Sequence, residues 1–265
     1  MYSFHIHSMF SDGKNTPEEI VLAAIEKGLV SIGFTDHGYT AFDVSYCITD
    51  TAGYRTEIQR LKEKYKDQIQ IYLGVEEDAS SLINREQFDY IIGSSHYLYK
   101  DHHYFSIDGD YDELKKCLGM FQNDVASFAE NYYHSFCKYI IDRKPDIIGH
   151  FDLITKFDEV ETSLFLQNNK YNQVAEKYIT IAAESGCIFE INTGAIARGY
   201  RTTPYPSENL LHTLKKLHAK IMISSDSHSI ETLDFAFKET KQYLRDIGFH
   251  DAYALINNQF KKYEI

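Results

Sequence analysis

The sequence predicts a parallel α/β fold, and three observations carry that reading. Seven short apolar runs alternate with helical patterns along the chain, the rhythm of successive β-α-β units. The run at residues 30–34 has only small residues, Ser31 and Gly33, between its apolar ones, as a strand covered on both faces does. Six of the seven predicted strands end in histidine, aspartate or glutamate. In a closed α/β barrel those C-terminal ends share one rim, the rim on which barrel enzymes place their chemistry.

The first strand carries Phe4-His5-Ile6-His7, and residues two apart on a strand face the same way, so His5 and His7 aim at one point. Thr16-Pro17-Glu18-Glu19 starts a helix, with Thr16 as N-cap, Pro17 in the first turn and Glu19 completing a capping box. Ile20, Ala23 and Ala24 form its apolar stripe and Gly28 ends it. The strand at 30–34 runs into Thr35-Asp36-His37-Gly38. A helix over 54–65 precedes a strand at 69–75 that ends in Glu76-Glu77-Asp78, and the strand at 88–93 ends in Ser94-Ser95-His96. A polar, aromatic loop at 97–110 leads to a helical region over 111–142, longer than an ordinary helix and so expected to contain a break. After Pro145, a short strand at 146–149 ends in His150-Phe151-Asp152. A helix over 172–185 closes at Gly186, and the strand at 187–191 ends in Asn192-Thr193-Gly194. A helix over 207–218 leads to the strand at 220–223, which ends in Ser224-Ser225-Asp226-Ser227-His228. Helices are expected over 230–244 and 251–260. No Pro/Gly/Ser-rich linker divides the chain, so one domain over 1–265 is expected.

The composition narrows the class. A content of 43% hydrophobic and 25% charged residues is that of a soluble globular protein. With 21 Tyr, 17 Phe and no Trp, aromatic rings are expected to supply much of the core. A net charge of −12 with no run of Lys and Arg argues against a nucleic-acid partner. If the substrate is an anion, bound cations must attract it, because the overall field repels it. Cys47, Cys117, Cys137 and Cys187 form no C-x-x-C, which argues against a zinc ribbon or redox pair and fits reduced thiols. Neither a signal-peptide pattern nor an apolar run of about 18 residues is present, so the expectation is a cytoplasmic protein without membrane association.

His5, His7, Asp36, His37, Glu76, His96, His150, Asp226 and His228 all fall at strand ends, whereas His134, His212, His218 and His250 read as ordinary surface or helix-end residues. Imidazole with carboxylate suits zinc, manganese or iron, and the ligands are too many for one ion. They fit two or three, with carboxylates as bridges. Such a site can generate hydroxide at neutral pH and clamp an oxyanion during in-line displacement. Phosphoesterases and amidohydrolases share that design, so the ligands alone leave the reaction class open.

His5 and His7 with Ser11-Asp12-Gly13, Thr35-Asp36-His37-Gly38, Glu76, Ser94-Ser95-His96, Gly149-His150 and Ser224 to His228 together resemble the PHP (polymerase and histidinol phosphatase) family. The resemblance runs from residue 2 to about residue 245. Within the family, the length and the region from Ser94 to Asp108 resemble the monofunctional histidinol-phosphate phosphatases. This resemblance implies a distorted seven-stranded (β/α) barrel, TIM-barrel-like, holding three metal ions. It implies that His5, His7, Glu76 and Asp226 hold the first ion, and that Glu76 bridges to a second held with His96 and His150. Asp12, His37 and His228 would hold the third. Many relatives have histidine where Asp12 stands, and the added negative charge leaves the identity of that metal open. Asp36 is expected to orient His37 or its neighbours rather than bind metal.

Arg198 and Arg201, in the loop 192–206, and Lys156, after the fifth strand, are candidate phosphate contacts. A guanidinium grips phosphate with a bidentate fork. An amine and an imidazole call for carboxylates and aromatic walls, and Asp108, Tyr97, His102 and Asp43 are the candidates. The resulting expectation is hydrolysis of L-histidinol phosphate, a step of histidine biosynthesis, by hydroxide at the Glu76-bridged pair. The leaving alkoxide would be protonated by His228 or by water on Asp226. The alternatives are a PHP phosphoesterase acting on a nucleotide, an oligonucleotide end or phosphotyrosine, and a non-catalytic metal-binding module. The filled ligand positions argue against the last. The expected partner is a small phosphomonoester, and the sequence carries no sign of oligomeric state.

Overall fold

The computed structural model describes residues 1–265. The chain opens with four strands, β1 (Tyr2–Ser3), β2 (Ser31–Phe34), β3 (Gln70–Asp78) and β4 (Tyr90–Ser94). A hairpin of β5 (Tyr97–Lys100) and β6 (His103–Ser106) follows. Three more strands, β7 (Ile147–Ile148), β8 (Ile188–Asn192) and β9 (Ile221–Ser224), precede a second hairpin of β10 (Asp251–Ile256) and β11 (Gln259–Glu264). Setting the hairpins aside, the order is β1-β2-β3-β4-β7-β8-β9, and every neighbouring pair is parallel. The two edges meet just beyond β1 and β9. There Ile6 bridges Ser227 in parallel, the Ser227 N–H donates to His5 O at 3.0 Å, and the His7 N–H donates to Ser227 O at 2.8 Å. The seven-stranded barrel therefore closes through the segments that carry His5, His7, Asp226 and His228.

The helices are α1 (Pro17–Glu26), α2 (Thr51–Tyr65), α3 (Tyr111–Gly119), α4 (Val125–Arg143), α5 (Asn169–Ala183), α6 (Gly194–Ala197), α7 (Glu208–Lys216) and α8 (Phe237–Ile247). At the start of α1 the capping box is formed: the Thr16 N–H donates to Glu19 Oε2 at 2.9 Å and the Glu19 N–H to Thr16 Oγ1 at 3.3 Å. The break expected within 111–142 lies between α3 and α4, where Gln122 and Asn123 turn the chain with φ of 56° and 60°. Asp124 then caps α4 through the N–H groups of Ala126 and Ser127.

Two expectations need correction. The segment 251–260 is no helix but most of the β10–β11 hairpin, turning at Asn257-Asn258 with φ of 50° and 59°. Asparagine tolerates that left-handed region, and a two-residue asparagine turn is a hairpin signal that outweighs the apolar spacing. The helix expected from residue 230 is only a single turn at Ile230–Thr232, and α8 begins at Phe237 after Ala236 adopts φ of 56°.

Aromatic rings do fill the interior. Tyr54, Tyr90, Tyr132, Tyr133, Tyr171 and Tyr205 are among the largest fully buried side chains. Most have a partner for the hydroxyl, as buried tyrosine requires: Tyr54 donates to Gly74 O at 3.0 Å, Tyr90 to Phe4 O at 2.6 Å, and Tyr133 and Tyr171 share a bond of 2.7 Å. Tyr90 lies across Gly33 and Gly74, where an added Cβ would come within 2.1 Å and 2.5 Å of its side chain. At the N-terminal ends of the barrel strands, Phe4, Tyr72, Tyr90, Ile147, Ile188 and Met222 pack with Ala254 and Leu255 of β10, so the second hairpin covers that end.

Candidate metal centre

Glu76 organises the opposite, C-terminal end. It lies in β3, is 1% exposed, and its two oxygens meet imidazoles from five different positions. Oε1 is 3.0 Å from His150 Nε2 and 3.4 Å from His96 Nε2. Oε2 is 3.0 Å from His37 Nδ1, 3.1 Å from His5 Nε2 and 3.5 Å from His7 Nε2. Asp226 adds a second carboxylate, its Oδ1 at 3.3 Å from His7 Nε2 and 3.7 Å from His5 Nε2. Nearer the surface, Asp12 Oδ2 is 3.2 Å from His228 Nε2, and Asp12 Oδ1 is 3.7 Å from His7 Nδ1 and 3.8 Å from His37 Nε2. His134, His212, His218 and His250 are all exposed.

The donor atoms gather into three groups: His5, His7 and Glu76; His37, Glu76 and His96; and His7, Asp12, His37 and His228. Glu76 joins two of them, as the family resemblance implies for a bridging carboxylate. The division is less clean than that resemblance suggests, because His7 and His37 each belong to two groups.

Whether these residues fit metal ions can be judged from their unused atoms. His5 Nε2, both ring nitrogens of His7 and Glu76 Oε2 are buried and have no hydrogen-bond partner. His5 Nδ1 lies 2.5 Å from Glu190 Oε1, which fixes the proton on that nitrogen and turns the Nε2 lone pair toward the lone pairs of Glu76. Buried polar atoms without partners are costly, and converging lone pairs are the arrangement a cation relieves. Imidazole nitrogen and carboxylate oxygen are ligands of zinc, manganese and iron. The residues fit divalent ions.

Without a cation, protons take that role. Burial by itself would neutralise Glu76, yet His5, His37 and His96 hold it well below the usual carboxylate range. Burial is likewise overcome at Asp226, by Arg198 and His5. At His5 burial opposes the charged ring, but Glu190, Glu76 and Asp226 raise its pKa well above the ordinary value. Glu76 and Asp78 do the same for His96. His7 behaves oppositely: burial, with the His228 and His37 rings beside it, pushes it down to about 3.

Several supporting residues were not foreseen. Glu190 on β8 binds His5, and Asp78 on β3 accepts from the His96 N–H at 2.8 Å and lies 3.2 Å from His96 Nδ1. A charged residue inside the apolar run Ile188-Phe189-Glu190-Ile191 is the signal that could have found the first, since a buried charge must be paired. Asp36, expected to orient His37 or its neighbours, serves the neighbours. It does not hold His37 but accepts from the Ser8 N–H at 2.7 Å and the Ser11 hydroxyl at 2.7 Å, tying down the turn that carries Asp12.

The imidazoles open into a cleft of about 420 Å³, lined also by Arg198, Lys156, Asp43, Asp108, Glu113 and Tyr97. Arg198 Nη2 is 2.9 Å from Asp226 Oδ2 and its Nη1 donates to Asp226 O at 3.1 Å, so the expected fork is turned on Asp226. Lys156 donates to Asp108 O at 2.5 Å, pairing two residues expected to act separately. Tyr97 donates to Asp43 Oδ2 at 2.8 Å. Two expected substrate contacts lie elsewhere. Arg201, 4% exposed, donates to Thr155 Oγ1 at 2.5 Å and packs 4.5 Å over the Tyr205 ring, held there by its need for partners in the interior. His102 stands at the exposed turn between β5 and β6 with φ of 66°, outside the cleft, because the loop expected there is a hairpin. No helix is long and apolar enough to cross a membrane.

A closed parallel barrel with histidines and carboxylates gathered at one rim defines a metal-dependent barrel class. The PHP domain matches residues 3–194, and the chain belongs to the PHP domain family. A Schizosaccharomyces pombe protein named "Probable histidinol-phosphatase" is 28% identical over 280 residues, covering 93% of this chain and 86% of the relative. The histidinol-phosphatase of Bacillus subtilis is 25% identical, covering 88% of this chain and 96% of the relative. Among solved structures, histidinol phosphate phosphatase from Lactococcus lactis, complexed with zinc, L-histidinol and phosphate, has a TM-score of 0.72 at 22% identity and covers 98% of both chains. That likeness establishes the shared barrel.

Proposed function

We propose that the chain, acting as one catalytic domain over residues 1–265, hydrolyses L-histidinol phosphate to L-histidinol and phosphate in a metal-dependent reaction. The observation that carries this reading is the mixed polarity of one cleft, in which the imidazole–carboxylate cluster with Arg198 and Lys156 is joined by Asp43, Asp108 and Glu113. A substrate with an anionic phosphate at one end and a cationic amine at the other suits such a lining. Curated relatives that share most of their length with this chain carry the same activity in their names, which supports the choice.

The proposed cofactors are two or three divalent ions, zinc, manganese or iron, held by His5, His7, Asp12, His37, Glu76, His96, His150, Asp226 and His228. When bound, such ions supply hydroxide at neutral pH and offset charge on the phosphoryl oxygens. The chain's own residues do the rest. Glu76 and Asp226 keep the imidazoles converging on one point. Arg198, at the cleft wall beside Asp226, and Lys156 would serve the nonbridging oxygens, where fixed donors stabilise developing charge. The His228 nitrogen turned away from Asp12, Nδ1, lies 3.1 Å from Asp226 O on a ring partly open to solvent, and from it the departing alkoxide would take a proton. Asp43, fixed by the hydroxyls of Tyr97 and Ser45, offers the amine a pre-oriented carboxylate. All four cysteines are free, consistent with a reducing cytoplasm as the setting.

The test is phosphate release from histidinol phosphate, a nucleoside monophosphate and p-nitrophenyl phosphate, with bound metals assayed on the same sample. The proposal expects kcat/KM for histidinol phosphate to exceed the others by orders of magnitude. Comparable weak rates on all three, with metals bound, would remove the histidinol assignment and leave a phosphoesterase of another substrate.

A further inference from the structure

We propose that Glu190 is a positioning residue that sets three metal-holding groups at once. The inference rests on reading the rim cluster as a metal centre. Glu190 lies in the middle of β8 and is 1% exposed. Each of its oxygens takes two partners. Oε1 meets His5 Nδ1 at 2.5 Å and accepts from the Ser224 hydroxyl at 2.5 Å. Oε2 accepts from the His150 backbone N–H at 2.8 Å and from Asn192 Nδ2 at 3.0 Å. The same Asn192 nitrogen reaches Asp226 Oδ2 at 3.3 Å. One carboxylate thus fixes the ring of His5, the backbone of His150 and, through Asn192, the carboxylate of Asp226. These three lie just beyond β1, β7 and β9, segments that nothing local in the sequence holds together.

The partner set explains why a carboxylate is needed. All four groups donate, and only an acceptor without hydrogens satisfies them together. A glutamine of the same shape would turn its NH2 toward two of those donors in either orientation. Facing Oε2's partners, it would oppose the His150 and Asn192 N–H groups. Facing Oε1's partners, it would oppose the His5 Nδ1–H and the Ser224 hydroxyl and turn the ring away from Glu76. Glu190 does not line the cleft, so it acts through the other residues rather than on substrate.

The experiment compares the full-length chain with its Glu190→Gln and Asn192→Ala variants. Zinc affinity is measured by competition with a chelator, and the state of the His5 ring by its ¹⁵N chemical shifts in the zinc-loaded protein. Thermal unfolding of the metal-free proteins is the folding control. Glu190→Gln is expected to lose about 10–100-fold in zinc affinity, the usual cost of removing a partner that orients a ligand, and to move the ring ¹⁵N shifts of His5 in the zinc-loaded protein, because either orientation of the amide takes the charged acceptor away from Nδ1. Asn192→Ala, which removes the arm to Asp226 and a bond to the Gly194 N–H but leaves Glu190 on His5, should keep the His5 ring shifts near those of the wild type and lose less affinity. Wild-type zinc affinity in Glu190→Gln would overturn the proposal, as would a loss without any change at His5. If Glu190→Gln does not fold, unaltered affinity in Asn192→Ala decides against the shared role. Failure of the wild-type chain to bind zinc would overturn both this proposal and the metal-centre reading.

Discussion

At Glu76 two carboxylate oxygens serve five imidazoles, at 3.0 to 3.5 Å, in a place nearly closed to water. Glu76→Gln keeps the shape and removes the charge on which every one of those rings depends. Stripping one partner from a buried charged set costs about 3–5 kcal/mol, so phosphate release should fall by roughly 10²–10⁴-fold, with less metal retained per chain. Elemental analysis alongside kinetics checks this, and a full metal complement with an undiminished rate would contradict it. Asp43 tests substrate choice instead. A hydrogen bond to a charged group contributes about 1.5–3 kcal/mol, so Asp43→Asn should lower kcat/KM for histidinol phosphate by roughly 10–100-fold. p-Nitrophenyl phosphate has no amine, and its hydrolysis should change less than about threefold. Equal losses on both substrates would place the amine elsewhere. The residues legible in the sequence were those at strand ends, where histidine and aspartate interrupt an apolar rhythm. Glu190 is hidden because its strand passes for core, and the role of Asp78, though it stands at a strand end, is visible only once its partner His96 from another strand is in place.

The elements divide in a similar way. The seven barrel strands were readable because each is a short apolar run bounded by turn residues, and parallel pairing follows from the helices between them. The hairpins were not, since β5–β6 carries polar residues on an exposed ribbon and β10–β11 mixes aliphatic and charged residues without a clear period of two. In β10 the reason is local. Ala252, Ala254 and Leu255 are all buried, which imitates a helical face, while the partner strand arrives only after the Asn257-Asn258 turn. The packing of Leu255, 4% exposed against the N-terminal ends of the barrel strands, carries a prediction at this scale. Leu255→Ala should destabilise the chain by about 2–5 kcal/mol, the range for emptying a buried leucine site. The catalytic rim is at the other end of the strands, so kcat/KM of the folded fraction should stay within about twofold, well below one hydrogen bond's worth. Denaturant unfolding and steady-state kinetics on one preparation separate the two effects. A large kinetic loss at unchanged stability would show that the hairpin reaches the site.

For the molecule as a whole, metal binding and protonation compete for the same atoms, and the competition has a direction. In the metal-free chain His5, His37 and His96 are raised above the ordinary histidine value; in each, burial opposes the charge and neighbouring carboxylates override it. A group whose folded pKa is raised adds stability that is full below its unfolded value, about 6.5, and is lost as pH climbs through the folded value. Glu76 and Asp226 are depressed despite burial, so their contribution holds above an unfolded value of about 4 and fades as pH falls through the folded one. The metal-free protein should therefore be steadiest in weak acid and lose Tm toward alkaline pH. Zinc removes that loss, because a ring nitrogen bound to metal has no proton to give up, and binding is itself weakened in acid by the protons it must displace. The gap in Tm between zinc-loaded and metal-free protein should widen from about pH 6 to about pH 8.5, and at a free zinc level of 100 times Kd the stabilisation should be about 2.7 kcal/mol. Calorimetry at fixed free zinc, in two buffers of different ionisation heat, reads both the gap and the protons released. A gap that stays constant across that window, with zinc bound throughout and heats independent of buffer, would mean that the rim histidines are already neutral before the metal arrives, and that carboxylate–imidazolium pairing does not hold the empty centre together.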